Sequence, residues 1–252
     1  MNIIKPSASM RSRPNIDAYL ETECLFGEKL EILNNDKEWS FCKLLTDNYC
    51  GWVQNTSLGK TNRCTHRVLT LRTFIFTEKH VKSKIIYNIP IGSKLNVIKT
   101  GKTWSEITLP KKFNFQIGYV PSKHIVNIKN KVKDWVSVAE QFLNAPYKWG
   151  GRNSLGIDCS ALIQLSCEAY GKALPRNTND QLRFKDVITK DLNSLKRADI
   201  IFWRGHVGVM VDSLNILHAN AFHMKTVIEP LNDVILRMKQ EYKIIKVISL
   251  TC

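Results

Sequence analysis

The first half of the chain repeats itself, and that repeat limits the fold more than any other feature. Phe26-Gly27-Glu28-Lys29-Leu30-Glu31-Ile32-Leu33 is followed by Trp39-Ser40, and sixty-five positions on Ile91-Gly92-Ser93-Lys94-Leu95-Asn96-Val97-Ile98 is followed at the same interval by Trp104-Ser105. The copies then close on Gly51-Trp52-Val53 and Gly118-Tyr119-Val120, with two residues inserted before the second. Each unit reads as short alternating strands, such as Lys29 to Leu33 and Trp39 to Leu44, broken by Asn, Asp, Gly and Lys turns. Two small all-β barrels are the expected outcome, over 1–63 and 64–127.

The glycine-aromatic-valine strand after a turn resembles bacterial Src-homology-3-like domains. Such barrels bind peptides or wall material, or act only as spacers. The copies differ where Glu28 and Tyr49 of the first become Ser93 and roughly Gln116 of the second, which hints at a task confined to the first.

Composition changes at Ile128-Lys129-Asn130-Lys131-Val132-Lys133, a polar basic stretch suited to a linker. From Trp135 the spacing of Trp135, Val138, Ala139, Phe142 and Leu143 predicts a helix stopped by Pro146, the start of a third domain over 128–252.

That domain carries the chemistry. A glycine-rich loop leads through Gly156-Ile157-Asp158 to Cys159-Ser160 and a short amphipathic helix ending at Gly171. Cys159 thus stands at a helix N-terminus, where unpaired N–H groups and the macrodipole favour a thiolate and can hold an oxyanion. Cys167, eight residues on and on an apolar face, reads as core. A thiolate needs a base. Ala198 to Trp203 and His206 to Val211 predict two strands around an Arg204-Gly205 turn, and a later turn leads to Ile216-Leu217-His218-Ala219. His206 and His218 share parity, so paired strands with an odd connection put both on one face. That suits an imidazole oriented by a polar neighbour. His66, His80 and His124 read as surface residues, and His223 has no assignment.

Residues from about 133 to 252 resemble the NlpC family of cell-wall cysteine peptidases. The resemblance rests on Tyr147-x-Trp149-Gly150-Gly151, Asp158-Cys159-Ser160, Pro175-Arg176-x-Thr178-x-x-Gln181, Asp199, His206-Val207-Gly208 and His218-Ala219; Ala161 departs from the commoner glycine. It implies a papain-like α+β fold behind two Src-homology-3-like barrels, and cleavage of γ-D-glutamyl–L-diamino acid bonds in murein peptides. It implies Cys159 as nucleophile, His206 as base and then acid, His218 as its orienter, and Tyr147 with the Cys159 N–H as oxyanion donors. Asp158 and Ser160 would hold the L-alanyl-D-glutamyl end of the substrate, with Arg176 and Thr178 lining the cleft. Glu28 and Tyr49 of the first barrel would close the groove and demand a free N-terminus.

No metal or cofactor is expected. The seven cysteines are odd in number and lack C-x-x-C spacing, so neither a disulfide scaffold nor a zinc site fits. The net charge of +15 is spread along the chain without a nucleic-acid motif, so no nucleic-acid partner is expected; the charge suits a substrate with several carboxylates. The absence of a long apolar run argues against a membrane span, and the N-terminal residues lack a secretory pattern, which together with reduced thiols predicts a cytoplasmic protein; the resemblance then implies that it recycles wall peptides. Two other readings stay open: a catalytically silent wall-peptide-binding module, and an amidase or acyltransferase using the same nucleophile and base.

Overall fold

A computed structural model describes residues 1–111, 116–184, 187–189, 191–238 and 243–250. The chain divides into two compact units, one made of Met1–Lys131 with Arg152–Ser154, the other of Val132–Gly151 with Leu155–Cys252.

The repeat is visible as repeated topology in the first unit. Strands β1 (Ser7–Arg11), β2 (Leu20–Leu25), β3 (Leu30–Asp36), β4 (Trp39–Leu44) and β5 (Cys50–Gln54) form an antiparallel sheet in the order β2-β1-β5-β4-β3. Strands β6 (Arg72–Phe76), β7 (Ile85–Pro90), β8 (Val97–Lys99), β9 (Trp104–Thr108) and β10 (Ile117–Pro121) repeat that order as β7-β6-β10-β9-β8. Matching positions do matching work: Leu30 and Leu95, Ser40 and Ser105, and Val53 and Val120 are all buried. Gly27 and Gly92 both take positive φ, +80° and +82°, a turn that a side chain would strain. At Gly27 a Cβ would also fall 1.9 Å from the Lys94 carbonyl oxygen. The two sheets have separate cores, one around Met10, Leu30, Cys42, Leu44 and Val53, the other around Val68, Ile75, Ile89, Leu95, Ile107 and Val120. Phe26 belongs to the second core although it lies in the turn directly after β2 of the first sheet. The Lys94 N–H donates to the Phe26 carbonyl at 2.7 Å, so the copies are stitched along this turn.

Glu28, expected against a ligand, has its carboxylate partnered within the first unit. It is fully buried, with its oxygens 3.0 and 3.1 Å from the Arg152 guanidinium and one of them accepting the Leu25 N–H at 2.7 Å. Burial works against the charge, but Arg152 and Lys94 hold the carboxyl below the usual range. The companion Glu23 accepts from the Arg152 N–H at 3.0 Å and from the Asn153 amide at 2.6 Å. Arg152 is raised because Glu28 outweighs its own burial. Tyr49 packs on the first core and donates to Glu21 at 3.0 Å.

In the second unit, helix α1 spans only Val136–Glu140, and the chain turns at Asn144 (φ +66°) before Pro146 is reached. Trp135, Val138, Ala139 and Phe142 of the expected apolar face are buried, and Leu143 is exposed. Helix α2 (Cys159–Tyr170) and the single turn α3 (Thr178–Gln181) precede a six-stranded antiparallel sheet. Its strands are β11 (Val187–Thr189), β12 (Ile200–Trp203), β13 (His206–Met210), β14 (Asn215–Asn220), β15 (Lys225–Pro230) and β16 (Ile244–Leu250), in the order β11-β16-β12-β13-β14-β15. Helix α4 (Leu231–Met238) sets Leu231 and Val234 against Ile201, Trp203, Met210 and Ile216. Strand β12 begins two residues later than expected because Ala198 has φ +75°. No helix among the described residues is long and apolar enough to cross a membrane.

Removing one charge of a buried pair leaves the other uncompensated. Glu28→Gln should therefore lower folding stability by about 3–5 kcal/mol in urea denaturation. An unchanged midpoint would contradict the structural role and leave the carboxylate free for the ligand role suggested by the sequence.

Candidate active site

The site grows from the start of α2. Asp158 has extended backbone and caps the helix, its Oδ1 accepting the Ala161 N–H at 2.8 Å. The same carboxylate accepts from the Gly150 N–H at 2.9 Å, the Ser160 hydroxyl at 3.1 Å and both terminal nitrogens of Arg176 at 3.0 and 2.6 Å. Arg176 is buried and also donates to the Ser160 oxygen at 2.8 Å. The Gln181 amide donates to the Ser160 and Pro175 carbonyls, each at 2.9 Å. Asp158, Ser160 and Arg176, expected against the substrate, therefore first serve one another. Their buried network fixes the helix start on which Cys159 stands.

Cys159 is 6% exposed, with Thr178 Oγ1 3.9 Å from its sulfur. The Val207 backbone N–H, at the head of β13 and one residue beyond His206, acts on that sulfur to lower its pKa. Burial and the Asp158 carboxylate push the thiol up to about 11, against the hydrogen bonds from Thr178 and Val207 and the charge of Arg176. The expectation of a thiolate favoured by the helix terminus is thus outweighed by desolvation. Tyr147, half-buried, is raised by burial and by Cys159 and Asp158, so its phenol keeps its proton and remains a donor. Cys167 is fully buried and pushed up by desolvation alone, in keeping with its core reading.

The imidazoles come together through sheet register. Val209 pairs with Leu217 and Met210 with Ile216. Continuing that register sets Gly208 opposite His218, with His206 one diagonal step away. Gly208 is needed there, since a Cβ would lie 3.1 Å from the His218 Cβ and 2.7 Å from Ile216 Cδ1. His206 Nε2 lies 2.8 Å from His218 Nδ1. Trp203 stacks beside His206 with ring centroids 5.7 Å apart. Burial and the neighbouring His218 and Arg237 lower His206 to about 3, so at neutral pH it is an uncharged imidazole.

Sequence reasoning missed what stands behind His218. Glu229 on β15 lies 2.8 Å from His218 Nε2 and is paired twice with Arg237 of α4, at 3.0 and 2.6 Å. His223 Nε2 stands 3.3 Å from the same carboxylate. Burial opposes its charge, but hydrogen bonds from Arg237, His218 and His223 hold Glu229 at about 2. The parity argument that linked His206 to His218 extends one strand further, but only once the length of the Phe222-to-Met224 turn fixes the register. Among the described residues no cluster of His, Cys, Asp and Glu is arranged to hold a metal ion.

Chemically, the second unit presents a thiol at a helix start and an uncharged imidazole backed by a second imidazole. Such a pair can deliver sulfur to a carbonyl carbon while the ring takes the proton.

Comparison with known proteins agrees with this chemistry. Residues 144–243 match the NlpC/P60 family and residues 10–58 match the bacterial dipeptidyl-peptidase Sh3 domain. The chain is 26% identical over 226 residues to a γ-D-glutamyl-L-lysine dipeptidyl-peptidase of Bacillus subtilis, covering 81% of this chain and 73% of that protein. It is 22% identical to dipeptidyl-peptidase 6 of Lysinibacillus sphaericus, covering 86% of each. The crystal structure of an NlpC/P60 family protein from Bacillus cereus superposes with a TM-score of 0.80 at 18% identity, covering 92% of this chain and 94% of that one. The likeness of fold therefore extends well beyond the two matched segments.

With the thiol raised and the imidazole lowered, thiolate forms mainly at high pH. Alkylation of the Cys159 peptide by iodoacetamide, followed by mass spectrometry, should climb about tenfold per pH unit from pH 7 to 9. A plateau between pH 5 and 8 would contradict this and show a preformed thiolate–imidazolium pair.

Proposed function

This chain is an NlpC/P60 cysteine peptidase with a bacterial dipeptidyl-peptidase Sh3 domain, and we propose that it hydrolyses the γ-D-glutamyl–L-diamino acid bond of murein peptides with a free N-terminal L-alanine. The single observation that carries this reading is the buried Cys159 thiol at the capped start of α2, in a unit whose sheet sets the His206 ring 2.8 Å from His218. The bond cleaved is proposed from the match over 81% of the chain to the Bacillus subtilis γ-D-glutamyl-L-lysine dipeptidyl-peptidase.

In the proposed reaction His206 takes the thiol proton as the Cys159 sulfur bonds to the γ-carbonyl carbon. Negative charge gathers on the carbonyl oxygen, where the Cys159 N–H and the Tyr147 phenol are the donors. Collapse breaks the carbon–nitrogen bond, and the leaving amine of the diamino acid receives the proton from His206. Water then attacks the thioester, giving its proton to His206, and the L-Ala-D-Glu product leaves with a restored carboxyl group while the thiol regains the proton. Thr178, close to the sulfur, borders the reacting centre. Asp158, Ser160 and Arg176 act by fixing the helix start, and any contact with the substrate would add to that task. The free thiols of Cys24, Cys42, Cys50, Cys64, Cys159 and Cys167 support placing the reaction in a reducing cytoplasm, as part of wall-peptide recycling.

Incubation with L-Ala-γ-D-Glu-meso-diaminopimelate and with its L-lysine counterpart should release L-Ala-D-Glu. N-acetylation of the alanine should stop the reaction, and Cys159→Ala should slow it at least ~10³-fold while leaving the fold intact. No release by the wild-type protein would overturn the reading in favour of a peptide-binding module. Equal turnover of the acetylated peptide would overturn the demand for a free N-terminus and favour a broader amidase.

A further inference from the structure

We infer that Glu229 is a positioning residue of this peptidase: acting through His218, its carboxylate holds His206 in the tautomer whose Nδ1 is free to receive the Cys159 proton. The inference rests on the catalytic roles proposed above and extends the machinery by one strand.

The argument is a chain of donors and acceptors. An ionised carboxylate can only accept hydrogen bonds. Arg237 donates to both Glu229 oxygens, its guanidinium lying 4.3 Å from the centre of the Phe222 ring, and the carboxylate stays ionised down to about pH 2. The 2.8 Å contact from His218 Nε2 to Glu229 therefore requires the proton on Nε2. A neutral imidazole carries one N–H, so His218 Nδ1 is left as an acceptor. His206 Nε2, 2.8 Å from that atom, must then donate, and its single proton is used there. The lone pair of His206 is left on Nδ1. Two hydrogen bonds thus carry the fixed charge of Glu229 to the far side of the base. When Nδ1 takes the thiol proton, the imidazolium forms at the end of a row that terminates in a carboxylate.

Other groups face this row. The Asn220 amide stands 3.1 Å from His218 Nε2 while its oxygen accepts the His223 N–H at 2.8 Å. A charged acceptor at 2.8 Å outweighs a neutral amide for the direction of the His218 proton. The His223 ring approaches the carboxylate, its Nε2 standing 3.3 Å from both Glu229 oxygens.

Register explains why Glu229 can do this. Ile216 pairs with Glu229 and His218 with Val227, so Glu229 sits diagonally across from His218 on the same sheet face. Three adjacent strands thus contribute His206, His218 and Glu229 in one oblique line.

The test uses the full-length protein and begins with the wild type. Nitrogen-15 spectra of the histidine rings at neutral pH should show His206 and His218 each protonated at Nε2 and bare at Nδ1. A His206 ring protonated at Nδ1 would overturn the inference without any variant. In Glu229→Gln, whose amide can donate as well as accept, the His206 tautomers should mix. Its kcat should fall about 10- to 100-fold with KM within about twofold, a smaller loss than the roughly 10⁴-fold known for a wrong tautomer set by a directly bonded partner. Arg237→Gln removes the ion pair but keeps the carboxylate, and should preserve the His206 tautomer and keep kcat within about threefold. Unchanged spectra and kcat in Glu229→Gln would overturn the inference, and equal kcat losses in both variants would reduce Glu229 to a structural ion pair. If the wild-type protein failed to cleave γ-glutamyl peptides, the proposed reaction would fall, while the ring spectra would still decide the role of Glu229.

Discussion

The Cys159 sulfur and the Val207 backbone N–H, which lowers the thiol's pKa, bring together two parts of the fold that are far apart in sequence. The sulfur belongs to the first residue of α2, and the amide belongs to a strand whose register is set by its neighbours. The helix start is pinned by Asp158 and Arg176, and the strand by its pairing. Precision here comes from backbone elements rather than from loops, which is how a reacting pair keeps its geometry.

Both units hold a buried carboxylate–guanidinium pair: Glu28 with Arg152, and Asp158 with Arg176. Buried pairs of this kind add little net stability compared with apolar packing, but each demands one arrangement of its partners. Asp158 shows what that arrangement secures. Its carboxylate caps α2, accepts the Gly150 amide and orients Ser160, so the glycine-rich loop and the helix start are fixed by one side chain. Desolvation in the same place pushes the thiol up.

Much of this was legible in the sequence because it is written in local periodicity. The 26–33 and 91–98 repeat foretold two sheets of equal strand order, and Gly27 and Gly92 take the same turn because they fill the same place in it. Cys159 before an apolar helix stands at the start of α2, and His206 and His218 at equal parity are the two rings that the sheet brings together. The rest depended on non-local facts. The arginine partners of Glu28 and Asp158 were not legible, because a carboxylate in a sequence carries no sign of the arginine that will pair with it. The height of the thiol pKa depended on burial, which competes with the helix terminus and has no local signature. Glu229 was hidden by a turn whose length sets the register of β15, and Arg237 by a helix that begins only after that strand ends.

The central claim is that one atom, the Cys159 sulfur, forms and breaks the covalent bond to the substrate. Acid quenching of L-Ala-γ-D-Glu-L-lysine turnover within the first catalytic cycles, followed by peptide mapping in a mass spectrometer, tests it most directly. The account predicts an alanyl-glutamyl thioester on the peptide containing Cys159, removed by hydroxylamine. The same adduct on Cys167, or steady turnover with no adduct on any cysteine, would contradict it.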